Sequence, residues 1–246
     1  MKKSNLLLLL IVFFLGSCTV LKEVETVTPD YSVSLKEVEL PANSKETFGD
    51  IITIESLNDT MRYVFEDEFF KIYWYVGFDR FYFTMFNKSS YPIKIVWDDV
   101  AFVNMDQSVS KMIHAGIKYG QRNEAQVATT IPKGAKLEDI LIPVVNIELY
   151  REWTIIPLFN EHAIGTDAVE RASVYQGKTM RILFPVRIQD IENDYTFVFK
   201  VDEVKAMPTT ITVHDEKAEE TRGAILFGIC FIGLAGIIAI PFIKHL

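Results

Sequence analysis

The run Gln176-Gly177-Lys178-Thr179 ends as a phosphate-binding loop ends, with a lysine to reach phosphate oxygens and a hydroxyl for magnesium. That loop also needs a glycine five residues before Gly177, where Ala172 stands. No nucleotide partner is therefore expected, and the run reads as a turn into a strand at Met180. Glu66-Asp67-Glu68 and Asp98-Asp99 group carboxylates, the chemistry of calcium binding or of paired glycoside-cleaving acids. Neither run has the alternating oxygen ligands and glycine of a calcium loop, so both read as solvated strand ends. His114, His162, His214 and His245 are scattered, and none stands in a His-Glu-x-x-His pair, so no metal site is expected. No Gly-x-Ser-x-Gly elbow offers a nucleophilic serine. Tyr73, Tyr75 and Tyr82 offer a different chemistry: if their sheet face is open, they line a surface on which sugar rings or a peptide can stack.

The chain that must position these groups has 246 residues, 49% hydrophobic, 13% aromatic and 24% charged, which suits one folded, strand-rich domain with appendages. Its formal charge of -8 makes nucleic acid an unsuited partner, and no Lys/Arg cluster offers a docking patch for an anionic leaflet. Both cysteines, Cys18 and Cys230, lie at apolar segments, so the central part has neither a thiolate nucleophile nor a cysteine metal site.

At the amino terminus Lys2 and Lys3 precede an apolar run from Leu6 to Leu15, then Gly16, Ser17 and Cys18. The run is about ten residues, short of the roughly 20 that cross hydrocarbon, and small residues follow it, as in a secretory signal peptide. Leu15-Gly16-Ser17-Cys18 resembles the lipobox of bacterial lipoproteins. The resemblance covers the first 18 residues and implies removal of residues 1–17 and diacylglyceryl modification of the Cys18 thiol. It also implies acylation, commonly palmitate, of the new amino group. Loss of Lys2 and Lys3 takes the net charge from -8 to -10. Membrane lipid is then the first partner, because several acyl chains hold durably where one does not.

At the other end Gly223 to Phe242 carries no charge over about 20 residues, which at ~1.5 Å per residue spans the ~30 Å of a bilayer core. A transmembrane helix is expected over 223–243, after a charged linker over 215–222 and before a cytoplasmic tail over 244–246. Ala224, Gly228, Ala235 and Ala239 form a small-residue stripe suited to close helix packing. In many double-membraned bacteria Thr19, following the lipidated cysteine, implies the outer membrane; the spanning helix argues instead for the cytoplasmic membrane.

Between the anchors, residues 18–48 read as a lipidated amino terminus and polar tether, in which Leu21-Lys-Glu-Val-Glu25 recurs as Leu35-Lys-Glu-Val-Glu39, the alternative being that one copy adds a strand to the domain. Residues 49–214 read as the folded domain. Phe70, Ile72, Trp74, Val76 and Phe78 alternate with Lys71, Tyr73, Tyr75 and Asp79, the period of a strand. Arg80 to Phe86 repeats the pattern, Asn87 to Pro92 supplies turn residues, and Ile93, Ile95 and Trp97 resume the alternation, which predicts a hairpin. Further strands are expected at 100–104, 108–115, 180–188, 195–201 and 209–214, with a short helix at Thr166 to Arg171. Seven or more short strands imply a mainly β, antiparallel β-sandwich of immunoglobulin-like type followed by the membrane helix. Phe81-x-Phe83-x-Met85-x-Asn87, a polar turn and Ile93-x-Ile95 resemble the water-stress and hypersensitivity domain, itself an immunoglobulin-like sandwich. Lys88 and Ser89 stand where that family has the rest of an Asn-Pro-Asn turn, so the resemblance implies fold alone.

Together these features point to a membrane-anchored envelope lipoprotein with a non-enzymatic role, no cofactor, and an envelope membrane protein as partner. The alternatives are a glycan or small-ligand binding module, or a hydrolase whose residues meet only in three dimensions. A concave aromatic patch ringed by polar groups favours the first alternative; a pocket pairing carboxylates, or a carboxylate with His114 or His162, favours the second.

Overall fold

The computed structural model describes residues 21–39, 50–55, 61–159 and 165–214. The signal peptide with Cys18, His162, and the carboxyl-terminal segment with Ala224, Gly228, Ala235 and Ala239 lie outside these residues. Among the described residues no helix is long and apolar enough to cross a membrane.

In chain order the described residues form β1 (Leu21–Glu39), β2 (Asp50–Glu55), β3 (Met61–Glu66), β4 (Phe70–Val76), β5 (Phe81–Asn87), β6 (Ile93–Ile95), β7 (Ala101–Val103) and β8 (Val109–His114). There follow β9 (Thr129–Ile131), β10 (Lys136–Pro143), β11 (Ile147–Leu149), β12 (Trp153–Ile155), the α-helix α1 (Thr166–Ala172), β13 (Thr179–Ile188) and β14 (Ile191–His214). By compactness the chain divides into Val27–Met207 and a second unit of Met1–Thr26 with Pro208–Leu246. In that second unit the described residues are the start of β1 and the end of β14, strands that neighbour one another in the sheet order.

Within Val27–Met207 the strands run β2-β3-β4-β5-β10-β8 in one layer and β7-β13-β14 in the other, with β6 on β13 and β9 on β6. Strand β8 joins the layers: Met112–His114 pair with β10, whereas Val109–Lys111 pair with β7. The layers face one another through aromatic side chains. Trp74 of β4 meets Phe184 of β13 and Phe197 and Phe199 of β14 with ring centroids 5.0 to 5.8 Å apart, and Phe81 meets Phe199 at 5.4 Å. Alternation in β4 and β5 turns Phe70, Ile72, Trp74, Phe81, Phe83 and Met85 into this core, each at most 3% exposed. The fold is thus mainly β, an antiparallel two-layer sandwich.

Pro185 sits inside β13 because the ladder is interrupted there: Arg181–Leu183 pair with β7 and Val186–Ile188 with β6, leaving no required donor between. Between β6 and β7 the chain makes a 3-10 turn at Trp97–Asp99, so Trp97 is buried at the turn and the strand ends at Ile95.

Three expectations are corrected. Residues 21–39 are a strand where a tether was expected; Val33 and Leu35 are buried, and the Tyr63 hydroxyl donates to the Val33 carbonyl. The segment from Asn87 to Pro92 makes no hairpin between β5 and β6, since β5 pairs with β4 and β10, and β6 with β13 and β9. It carries the chain from one layer to the other, held by buried Asn87: Nδ2 donates to Tyr91 O at 2.8 Å and Ile131 O at 2.9 Å, while Oδ1 accepts from Ser89 N and Oγ. Phe78 is not on the buried face; it projects from the β4–β5 turn, 69% exposed. Helix α1 falls where expected, and Gln176–Lys178 form the expected turn, with Gly177 at φ +81°.

Candidate functional site

The outward side chains of β3, β4, β5 and β10 are placed by the strand register. One row runs Tyr75, Tyr82, Ile140 across three strands, and the next runs Tyr73, Thr84, Glu138. Residues directly opposite in antiparallel strands share a face, so these six lie together on the side away from the core. With Arg62 of β3 and Ala115 they line a cleft of about 400 Å³, within the ~300–1,000 Å³ usual for small-ligand sites. Tyr75 is 37% and Tyr82 40% exposed, and their rings lie 5.5 Å apart with an interplanar angle of 32°. Tyr73 meets Phe86 edge-on at 5.8 Å, with the Lys71 ammonium 5.4 Å from the Tyr73 ring.

Gly77 makes room for Tyr82. A Cβ there would come within 2.8 Å of the Tyr82 ring and 3.0 Å of Arg80 O, in a tight turn closed by Gly77 N donating to Arg80 O at 2.8 Å. The charges of the cleft balance: the Lys136 ammonium bonds Glu138 and, with Arg62 nearby, holds its carboxyl below the usual range. Beyond Ile140 the same face is roofed over. Ile113, Ile142 and Ile147 form a small second core there, covered by the β11–β12 hairpin, and a cleft of about 610 Å³ opens between Trp153 and the loop at Ala115 to Gln121.

The structure also sets His114 beside a carboxylate. Its Nδ1 lies 3.2 Å from Asp139 Oδ2, and its ring stacks on Trp97 at 4.2 Å and 11°. Asp139 Oδ1 accepts from the backbone amides of Ala115 at 2.8 Å and Ile140 at 2.7 Å. Both side chains turn inward, 15% and 7% exposed. The pair fastens the end of β8 to β10, with both carboxylate oxygens engaged. Glu138 and Asp139 both border the aromatic cleft, but successive strand residues point to opposite faces, so their carboxyl groups cannot flank one glycosidic bond.

Three other carboxylates named from sequence, Glu66, Asp67 and Asp98, serve the fold. Glu66 bridges Lys71 and Lys88, whose hydrogen bonds, Lys88 first, lower its pKa. Asp67 Oδ1 accepts from Phe69 N and Phe70 N in the β3–β4 turn, and its Oδ2 takes the Tyr195 hydroxyl at 2.6 Å. Asp98 bonds Lys111 at 2.7 Å and the Gln126 amide at 3.0 Å, which together, Lys111 foremost, lower its pKa. Among the described residues no cluster of His, Cys, Asp and Glu is arranged to hold a metal ion.

Of the residues singled out for surface chemistry, Tyr73, Tyr75 and Tyr82 do share an open face. Arg62, Thr84 and Glu138 were missed, because they come from separate strands whose pairing no local pattern announces. Compared with family models, curated proteins and solved structures, the chain finds no match.

Proposed function

We propose that the protein is a membrane-anchored envelope lipoprotein whose sandwich binds a glycan without processing it. The observation that carries this reading is the half-exposed Tyr75–Tyr82 pair in a concave patch edged by Arg62, Thr84 and Glu138. A sugar ring presents C–H groups to an aromatic face and hydroxyls to polar groups at its rim. The presence of both a cation, Arg62, and an anion, Glu138, favours a neutral, polyhydroxylated ligand over a charged one.

The anchoring belongs to the same proposal. Strand β1 begins at Leu21, just after Cys18, and β14 ends at His214, shortly before the apolar segment at 223–243. These strands are neighbours, and residues through Thr26 group with those from Pro208. In this reading lipid on Cys18 and a carboxyl-terminal helix, packed through Ala224, Gly228, Ala235 and Ala239, leave from one ribbon into one bilayer. The immunoglobulin-like assignment is part of it, supported by the facing antiparallel layers and the layer-switching strand β8. A second reading, docking of an envelope membrane protein on this face, is favoured by the exposed Phe86 beside Tyr73.

The test is binding of the full chain, held in a detergent without a sugar headgroup, to an array of envelope and cell-surface glycans. Wild type should retain a defined set, and Tyr75→Ala with Tyr82→Ala should lose it at least tenfold while keeping the same circular dichroism. Equal binding by the variant, or none by wild type, would overturn the glycan reading; capture of one membrane protein by wild type alone would support the second. Labelled palmitate should enter wild type and not Cys18→Ala.

A further inference from the structure

Tyr75 is a wall shared by two clefts. The second is a depression of about 520 Å³, bordered by Asp30, Ser32, Gly77, Phe78 and Lys205 and by the buried Val33, Tyr63 and Phe159. Its chemistry repeats that of the first cleft. Phe78 supplies an aromatic ring 69% exposed, Ser32 an exposed hydroxyl, and Asp30 and Lys205 opposite charges. The Lys205 ammonium rests 2.9 Å from the Glu203 carboxylate, and that bond, with Asp30 adding a smaller effect, raises its pKa.

We propose that Tyr75 separates two adjoining subsites and that the ligand is a glycan chain, with successive sugar units on either side of it, rather than a single sugar. This rests on the reading of the first cleft as a glycan site. Either cleft alone matches a small ligand in volume, at about 400 Å³ and about 520 Å³. What distinguishes the pair is that each combines aromatic, hydroxyl-bearing and charged side chains, and that Tyr75 borders both. A compact ligand has no use for the second set. A repeating polymer presents the same face and the same hydroxyls at each step, and uses both. The anchor point fits as well: Phe78 stands at the tip of the β4–β5 turn whose Gly77 seats Tyr82, so one hairpin orients the rings of both subsites.

The test titrates full-length wild type, Phe78→Ala and Tyr75→Ala with two oligosaccharide series, chitobiose to chitohexaose and maltose to maltohexaose, by calorimetry in a sugar-free detergent. Phe78 is an exposed turn residue whose backbone carbonyl accepts from Leu158 N, a bond that alanine keeps. Wild type should gain at least tenfold in affinity between trisaccharide and hexasaccharide in the series it recognises. Phe78→Ala should bind the short members as wild type does but lose that gain, and Tyr75→Ala should weaken all lengths. Short members that bind with no gain in length, or a gain untouched by Phe78→Ala, would overturn the second subsite and leave the first cleft standing. Binding of no member at any length would overturn the first cleft and the chain proposal with it.

Discussion

Strands β4 and β5 carry aromatic residues on both faces, and the two faces differ in kind. Inward, Phe70, Trp74, Phe81 and Phe83 are at most 3% exposed and pack ring on ring across the sandwich. Outward, Tyr73, Tyr75 and Tyr82 keep their hydroxyls, and Tyr75 and Tyr82 stay more than a third exposed. The inward tyrosines obey another rule: the Tyr63 hydroxyl donates to Val33 O and that of Tyr195 to Asp67. A buried hydroxyl needs a partner, whereas an exposed one can wait for a ligand. Even so, the buried Trp74 indole N–H has no hydrogen-bond partner among the described residues, so its ring volume is what the core uses. One hairpin therefore builds stability on one side and a recognition surface on the other.

If that division holds, substitutions on the inner face should change stability and those on the outer face should change binding. Trp74→Ala should have the largest effect, about 3–5 kcal/mol lost in urea unfolding, since it empties a fully buried aromatic site. Asn87→Ala should cost about 3 kcal/mol in the same measurement, because it removes the bridge between layers and strands the Tyr91 and Ile131 carbonyls. Tyr195→Phe should cost about 2 kcal/mol for the lost bond to a carboxylate. Burial first, then Asp67, raises the Tyr195 pKa above its ordinary 10.0. The protonated phenol therefore contributes its stability fully below about pH 10, and that contribution is lost as pH rises further. Unfolding titrations of wild type above pH 10 should show this loss, and Tyr195→Phe should show less of it. The smallest stability change, within about 0.5 kcal/mol, is expected for Tyr75→Ala with Tyr82→Ala, the pair expected to lose binding. A loss of several kcal/mol there would erase the distinction between the faces.

The inner face was the more legible of the two. Alternation read β4, β5 and β13 correctly, because a buried face enforces apolar residues at every second position. It failed for β10, where inward Asp139 and outward Ile140 invert the pattern so that His114 and two amides can be fastened. It failed for β1, whose buried Val33 and Leu35 are set among Ser, Thr and Glu on a strand with one neighbour among the described residues. It divided β14 in two, because Asp202, Glu203 and Pro208 interrupt a strand that runs unbroken from Ile191 to His214. On the outer face the tyrosines could be read within one hairpin. Their companions Arg62, Thr84 and Glu138 depend on the register of β3, β5 and β10, which is a tertiary property.

The central claim is that the outward face of this hairpin is where ligand sits. Backbone amide spectra of the full chain in sugar-free detergent micelles, recorded before and after adding the glycan retained most strongly on the array, test it most directly. The account predicts shifts concentrated at Tyr73 to Tyr75, Tyr82 to Thr84 and Glu138 to Ile140, with the inner-facing strand β13 unmoved. Shifts confined to other surfaces, with these three segments unchanged, would contradict it.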